Sequence, residues 1–168
     1  MRNLLITTYK FNLLDQSDKK NMHTLLTSPQ NSEEVKTLFA PLLEHCNSDF
    51  LNQPVMHTSM PFLIYFMQEK QYSKIEPVLK KGADVNCRYD NGNTLLMHLI
   101  LSDVQFIPEK YELIHLVLAY HPDLETLKNN ENKTVLDLVR LSTDEKIIEL
   151  FNDYLGDILE PQKRSYSR

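Results

Sequence analysis

Residues 82–100 read GADVNCRYDNGNTLLMHLI, and this stretch decides the fold. Gly82 follows a helix-period apolar pattern over residues 73–81 that ends in two lysines. Basic residues in the last turn, followed by glycine in the left-handed conformation, are typical of a helix C-terminus. Ser73 and Glu76 have the spacing of a capping box, which predicts the start of the same helix.

A tight turn and a second helix follow this first helix. The DNG sequence ending at Gly92 predicts a turn that needs positive φ, which glycine adopts without strain. Thr94 is then placed to cap the next helix, because a threonine side chain at this position accepts a hydrogen bond from a free backbone N–H. The apolar positions of that helix are Leu95, Leu96, Leu99 and Ile100.

The same helix–turn–helix pattern recurs further along the chain. Asp84 is echoed by Asp123, 39 residues on, and Thr94 by Thr134, 40 residues on. His121 stands where Gly82 stood in the first copy. A weaker echo upstream runs from Pro41 to Asp49. Recurrence of one unit at a fixed period indicates a repeat architecture, because each unit needs its neighbours to bury its apolar face.

On these residues the chain resembles ankyrin-repeat proteins, whose unit of about 33 residues carries a G-x-T-P-L-H turn and a G-A-D-V-N ending. The resemblance implies an all-α solenoid of about three to four units with protruding turns. The expected repeats cover residues 53–156, approximately as 53–88, 89–127 and 128–156. Residues 1–52 form an N-terminal helical segment or degenerate capping repeat, and residues 157–168 form a tail.

The sequence departs from the family pattern in ways that predict an irregular stack. Leu95 and Val135 replace the proline of the motif, and Met97 and Asp137 replace its histidine. In the family, that histidine makes a hydrogen bond that ties successive turns together. Residues 102–108 form an insertion of about six residues; either Phe106 and Ile107 fold back over the core, or the loop contributes to binding.

The first 52 residues admit two interpretations. One apolar pattern there predicts an amphipathic helix, and Asn31 with Glu34 predicts a capping box for a second helix. This segment is either a solenoid cap or, alternatively, an adaptor that recruits cellular machinery such as a ubiquitin ligase to a target held by the repeats. A last amphipathic helix is expected over residues 143–151. The positions of the first pattern are Leu4, Leu5, Ile6, Tyr9, Leu13 and Leu14, and those of the second are Val35, Leu38 and Phe39.

Composition narrows the class of function. The chain has 168 residues and a net charge of −5, so we expect no nucleic-acid partner. No apolar run approaches the length of a membrane span, and no secretory signal is visible. We therefore expect a cytoplasmic monomer with Cys46 and Cys87 as reduced thiols. Small ankyrin-repeat proteins that this chain resembles also occur among effectors of intracellular bacteria and host-range factors of large DNA viruses, so the resemblance implies a candidate role in a host cell. The low glycine content, with many Lys, Asn and Ile residues, fits the AT-rich genomes of such organisms.

Catalysis is not expected. The six histidines form no HExxH pattern, and there is no CxxC or phosphate-binding glycine loop. No cofactor or metal is expected. An enzyme using His98 beside Cys87 remains a separate hypothesis.

The resemblance implies that the chain binds a partner protein through the concave surface of the solenoid. Contacts in the family fall on turn tips and on the ends of inner helices, and Tyr89 is the foremost anchor candidate because aromatic residues often dominate binding energy. Any of these residues can equally be a solvated turn residue. The candidate contact residues are Met56, His57, Ser59, Met67, Gln68, Arg88, Tyr89, Asp90, Asn91, Asn93, Leu101, Ser102, Phe106, Asn130, Glu131, Lys133, Leu141 and Ser142.

Overall fold

The computed structural model describes residues 23–27, 33–55, 58–103 and 105–156, with the side chains of 33–38 left out. The chain forms two compact units, Met1–Cys87 and Arg88–Arg168, which we call unit 1 and unit 2. Several predictions lie outside the described residues: the helix proposed around Leu4–Leu14, the cap at Asn31, the contacts at Met56 and His57, and the tail 157–168.

Unit 1 is built from short helices around an aromatic core. Phe62 is fully buried, with its ring centroid 5.3 Å from that of Phe50 and 5.9 Å from that of Phe66. His23 packs edge-to-face against the same cluster, with its ring centroid 4.6 Å from that of Phe50. The elements are α1 (residues 23–27), α2 (Glu33–Glu44), α3 (Ser48–Leu51), α4 (Phe62–Gln68), a 3-10 turn (Tyr72–Lys74) and α5 (Ile75–Lys80).

Helix α5 matches the helix predicted before Gly82, with one correction. Gly82 has φ +88, so the left-handed C-terminal glycine is confirmed. The predicted capping box is wrong: the N-cap residue is Lys74 and no side chain caps it, because Ser73 belongs to the preceding 3-10 turn. This turn buries Lys74 completely, and the Lys74 ammonium donates a hydrogen bond of 2.6 Å to the Leu26 carbonyl.

Two helices of unit 2, α6 and α8, have the same length and the same type of N-cap. Helix α6 has seven residues and is N-capped by Thr94, whose hydroxyl accepts from the Met97 N–H. Helix α8 also has seven residues and is N-capped by Thr134, whose hydroxyl accepts from the Asp137 N–H. The predicted cap at Thr94 is confirmed, and Thr134, its echo in the sequence, caps the equivalent helix. The elements are β1 (Arg88–Tyr89), β2 (Asn93–Thr94), α6 (Leu95–Leu101), α7 (Lys110–Leu118), α8 (Val135–Leu141) and α9 (Glu145–Leu155).

Helix α6 packs against both α7 and α8, and α9 packs against α7 and α8. The two-residue strands β1 and β2 pair antiparallel around the predicted turn, where Gly92 has φ +71. In the second copy Asn132 has φ +60 at the position of Gly92, and His121 has φ +52 at the position of Gly82. The described residues are thus mainly helical, which agrees with the all-α class.

Among the residues that the structure describes, no helix combines the length and the apolar character needed to cross a lipid bilayer.

Candidate binding groove

A groove of about 590 Å³ opens in unit 2 where helices α6 and α8 end. Its walls combine the last residues of the two helices, the connections that follow them, and the turn before α8. Six of the predicted contact residues line it, so the structure brings together side chains that are up to 41 positions apart in the chain. The lining residues are Ile100, Leu101, Ser102, Asp103, Lys110, Glu131, Lys133, Leu138, Leu141, Ser142, Thr143 and Asp144.

Two leucines occupy equivalent positions in this groove. Leu101 ends α6 and is 55% exposed, and Leu141 ends α8 and is 60% exposed. Each is followed by a serine in extended conformation, Ser102 or Ser142, so each helix stops directly after its leucine. The threonine caps and the serine stops set equal helix lengths and present both leucines to solvent.

A buried lysine connects the segments that form one wall of the groove, through hydrogen bonds that we call the brace (Ser102, Lys110, Tyr111 and Asp144). Lys110, only 3% exposed, donates 2.6 Å to the carbonyl of Ser102 and lies 3.4 Å from Asp144 Oδ2. Tyr111 donates its hydroxyl proton to the same carboxylate oxygen over 3.0 Å. Asp144 also caps α9, because its Oδ1 accepts from the N–H groups of Lys146 and Ile147. This one carboxylate therefore links the start of α9 to the start of α7, and Lys110 links both to the end of α6.

The pKa shifts of Asp144 and Tyr111 are consistent with these hydrogen bonds. Burial alone would raise the pKa of Asp144, but the hydrogen bond from Tyr111 and the N–H of Ile147, with the charge of Lys110, together lower it. Burial, together with the bond to Asp144, raises the pKa of Tyr111. At neutral pH the carboxylate is ionised and the phenol is protonated, as the brace requires. The ammonium of Lys146 also lies 4.0 Å from the centre of the Tyr111 ring, where it is attracted by the negative face of the ring.

Hydrogen bonds connect the two turns of unit 2. Asn129 donates its amide to Asn93 Oδ1 over 2.9 Å, and the Asn130 N–H donates to the Asn91 carbonyl over 2.8 Å. Arg88 donates to the carbonyl of Gly92 and, through Nη2, to that of Lys128. A Cβ on Gly92 would lie 2.7 Å from Asn130 Oδ1 and 2.8 Å from Arg88 Nη2, so a larger residue there would displace both side chains. The turns are thus tied together although the histidine of the family motif is absent.

These bonds correct the interpretation of Asn93. Its side chain was expected at a contact surface, but it is 6% exposed because it accepts the bond from Asn129. Met67 is likewise wrong as a contact residue: it is 8% exposed, on the face of α4 that packs into the core of unit 1. The guanidinium of Arg88 is exposed but already engaged with two carbonyls.

Seven other predicted contact residues of the described part of the chain lie outside the groove lining. Tyr89 is half-buried and the remaining ones are exposed, so they are still available as contacts and nothing further assigns them a role. They are Ser59 and Gln68 in unit 1, and Tyr89, Asp90, Asn91, Phe106 and Asn130 in unit 2.

In the insertion between α6 and α7, one of the two residues that could fold back over the core is buried and the other is exposed. Eight residues connect α6 to α7, whereas three connect α8 to α9, so the first copy is longer by five. Ile107 folds back and is 6% exposed, but Phe106 is 69% exposed. Two bonds to Asp103 order the turn: its carbonyl accepts from the Phe106 N–H, and its Oδ1 accepts from the Gln105 N–H. Val104 lies outside the described residues.

Sequence reasoning missed Asp103, Lys110 and Asp144 as members of the groove. Lys110 and Asp144 are 34 positions apart, and no local pattern relates them. Asp144 carried one usable signal, since an acid before an amphipathic helix predicts an N-cap. Its partner could not be inferred from that signal.

Burial shifts the pKa values of Cys87 and His98, the two residues of the enzyme hypothesis. Burial, with the nearby charge of Asp84, raises the pKa of the Cys87 thiol to about 12, so little thiolate exists at neutral pH. Burial lowers the pKa of His98 despite the charge of Asp90, and its Nε2 has no hydrogen-bond partner within the described part of the chain. Among the described residues, no three His, Cys, Asp or Glu side chains lie close enough together to hold a metal ion.

Comparison with known proteins adds no family. No protein-family model matches the chain, and neither a curated protein nor a solved structure matches it.

Proposed function

We propose that unit 2 is a pair of ankyrin-type repeats whose groove binds a partner protein without catalysis. The observation that carries this proposal is the pair of exposed leucines, Leu101 and Leu141, at the same position of two equivalent helices in one groove. Matching placement in two copies gives a surface with a regular spacing of anchors. Ankyrin-type recognition uses such repeated positions, as the resemblance of the sequence implied.

The brace around Lys110 and the hydrogen bonds between the turns support this proposal. Both hold the walls of the groove in place through bonds within unit 2. A preformed surface loses little conformational entropy on binding, so a modest contact area yields useful affinity. The residues around the groove offer apolar contact and charge but no nucleophile with a paired base.

Site-specific photo-crosslinking tests the proposal. A photo-reactive phenylalanine derivative is placed at Leu101 or Leu141, and at Glu112 or Glu149 as matched controls, which are exposed residues of α7 and α9 that do not line the groove. Both leucine positions are expected to crosslink to the same partner protein, and the two control positions are not. Excess unlabelled wild-type protein should compete, whereas a Leu101→Ser/Leu141→Ser double variant should not.

Two outcomes would contradict the proposal. Equal crosslinking from the control positions means that the groove is not the binding surface. Crosslinking only to a second copy of the chain means that the groove is a homotypic interface, contrary to the expected monomer.

A further inference from the structure

We infer that the occupant of the groove is a basic amphipathic helix of the partner protein, with two apolar side chains one heptad apart and Lys or Arg residues beside them. This inference rests on the proposed function and specifies the class of partner. Three features of unit 2 carry it: the spacing of the two leucines, the carboxylates at the rim, and the charge of the unit.

The spacing favours a helix over an extended peptide. Helices α6 and α8 pack against each other, so their axes lie about 8–10 Å apart. From this interaxial distance we expect Leu101 and Leu141, at equivalent positions on the two helices, to repeat at about the same interval. On a helix, residues i and i+7 lie about 10.5 Å apart on one face. In a strand, side chains on one face repeat at about 6.6 Å and about 13 Å, so the helical interval is the nearest of the three.

Two carboxylates at the edge of the groove, which we call the rim, have no cationic partner among the described residues. Asp103 and Glu131 line the groove and are exposed, and neither lies within ion-pair distance of a cation among the described residues. Lys110 does not offset them, since it is buried and bonded to Asp144. Lys133 is the one cation of the lining that has no ion pair in the described part of the chain, which leaves the rim net negative.

The charge of unit 2 has the same sign. Between Arg88 and Gly156 the sequence has twelve Asp and Glu residues against six Lys and Arg residues, a net of −6. The whole chain has a net charge of −5, so the negative charge is concentrated in this unit. A field of one sign around a groove accelerates association with a cationic partner and rejects an anionic one. An acidic helix with the same apolar residues would meet repulsion from Asp103 and Glu131.

Fluorescence anisotropy with designed peptides tests this inference on the full chain. Three labelled helical peptides of about 18 residues, or five turns, are compared. The first has leucines at i and i+7 flanked by lysines, the second has glutamate in place of each lysine, and the third has serine in place of both leucines. The first peptide is expected to bind at least about tenfold more tightly than either of the others, and to weaken as salt is raised from about 50 mM to about 300 mM.

Variants of the protein assign the binding to the groove. Leu101→Ser or Leu141→Ser should weaken binding of the first peptide about tenfold or more, since both are proposed anchors. Asp103→Asn should weaken it about two- to fivefold, the range of an exposed ion pair. The matched control Glu149→Gln removes a carboxylate on α9 away from the groove and should leave the affinity unchanged.

Three results would overturn the inference: equal binding of the acidic peptide, binding that ignores Leu101→Ser, or no binding of any of the three peptides. In each case crosslinking at Leu101 and Leu141 still reports separately on the groove. If crosslinking succeeds and the peptides fail, protein binding stands and the basic helix is wrong. The peptide comparison uses wild-type protein, so it remains decisive even if a variant fails to fold.

Discussion

Leu99 and Leu101 lie two positions apart in α6 and offer a direct comparison between scaffold and site. Leu99 is fully buried, whereas Leu101 is 55% exposed. Replacing Leu99 by alanine leaves a cavity in a packed core, which destabilises a protein by about 2–5 kcal/mol. Full burial of a leucine stabilises by about 2 kcal/mol, and Leu101 is less than half buried, so Leu101→Ala should lose no more than about 1 kcal/mol.

The assay has to report on unit 2 by itself. The chain has two compact units, so a global melting curve can combine two transitions. Hydrogen exchange measured by mass spectrometry on peptides from residues 88–156 reads the opening free energy of unit 2 directly. Leu99→Ala should lower that free energy by several times the loss seen with Leu101→Ala. Equal losses for the two variants would refute the reasoning, because Leu101 would then belong to the core and the groove would lack an anchor.

Three further predictions concern the scaffold. Burial lowers the pKa of Lys74 from 10.5 to about 8, so between these values the unfolded chain binds a proton that the folded chain releases. The stability of wild type minus that of Lys74→Met should therefore be flat below pH 8 and rise by up to about 3 kcal/mol across the window. Urea unfolding measures this difference when it is followed through exposure of the buried Cys46 thiol, so that the signal comes from unit 1. A difference that falls with pH would contradict the burial of the charge. Gly82→Ala should destabilise unit 1 by about 1–2 kcal/mol in the same assay, because Gly82 has φ +88 and a Cβ would lie 3.3 Å from Ser48 Cβ. Gly82→Asn should lose less stability, because asparagine tolerates positive φ better than alanine does. An unchanged stability in Gly82→Ala would mean that the turn is not left-handed. Thr134→Ala should lower the opening free energy of α8 by about 1 kcal/mol through loss of its cap, whereas an equal loss in Thr143→Ala, outside any helix, would argue against capping.

Local signals in the sequence predicted the helix ends well. The left-handed glycine at Gly82 and the caps at Thr94 and Thr134 depend on the bonding of a few neighbouring residues, which a short stretch of sequence determines. The Ser73 cap failed because burial of Lys74 decides where α5 begins. That burial depends on Leu26, 48 positions away, and no local pattern contains it.

Departures from the family pattern are explained by contacts that could not be read from the sequence. Asp137 replaces the histidine of the motif, and its carboxylate accepts from the Thr134 N–H over 3.0 Å, so it closes a capping box within its own helix. Met97, at the equivalent position of α6, is fully buried as a core residue. The link between turns that the histidine would provide is made by Asn129 and Asn93 instead.

The groove was only partly predictable for the same reason. Leu101 and Leu141 follow from the repeat, since equal spacing from the threonine caps puts both at helix ends. The exposure of Gln68 and the burial of Met67 depend on which face of α4 meets the core of unit 1, and that requires tertiary structure. The Lys110–Asp144 brace likewise joins residues that no periodicity relates.

Exposed leucines alone are weak grounds for a binding site, because single apolar residues are common on protein surfaces. The stronger argument comes from their combination with the hydrogen bonds of Lys110 to Ser102 and Asp144. Pairing a buried lysine with a half-buried carboxylate contributes little net stability, because desolvation of the lysine offsets the attraction, and a well-packed apolar pair often stabilises equally. In unit 2 this pair fixes the end of α6 relative to the start of α9, the two segments that form one wall of the groove. Two leucines at one repeated position therefore border a wall whose geometry is fixed in advance, which is the arrangement that a binding surface needs.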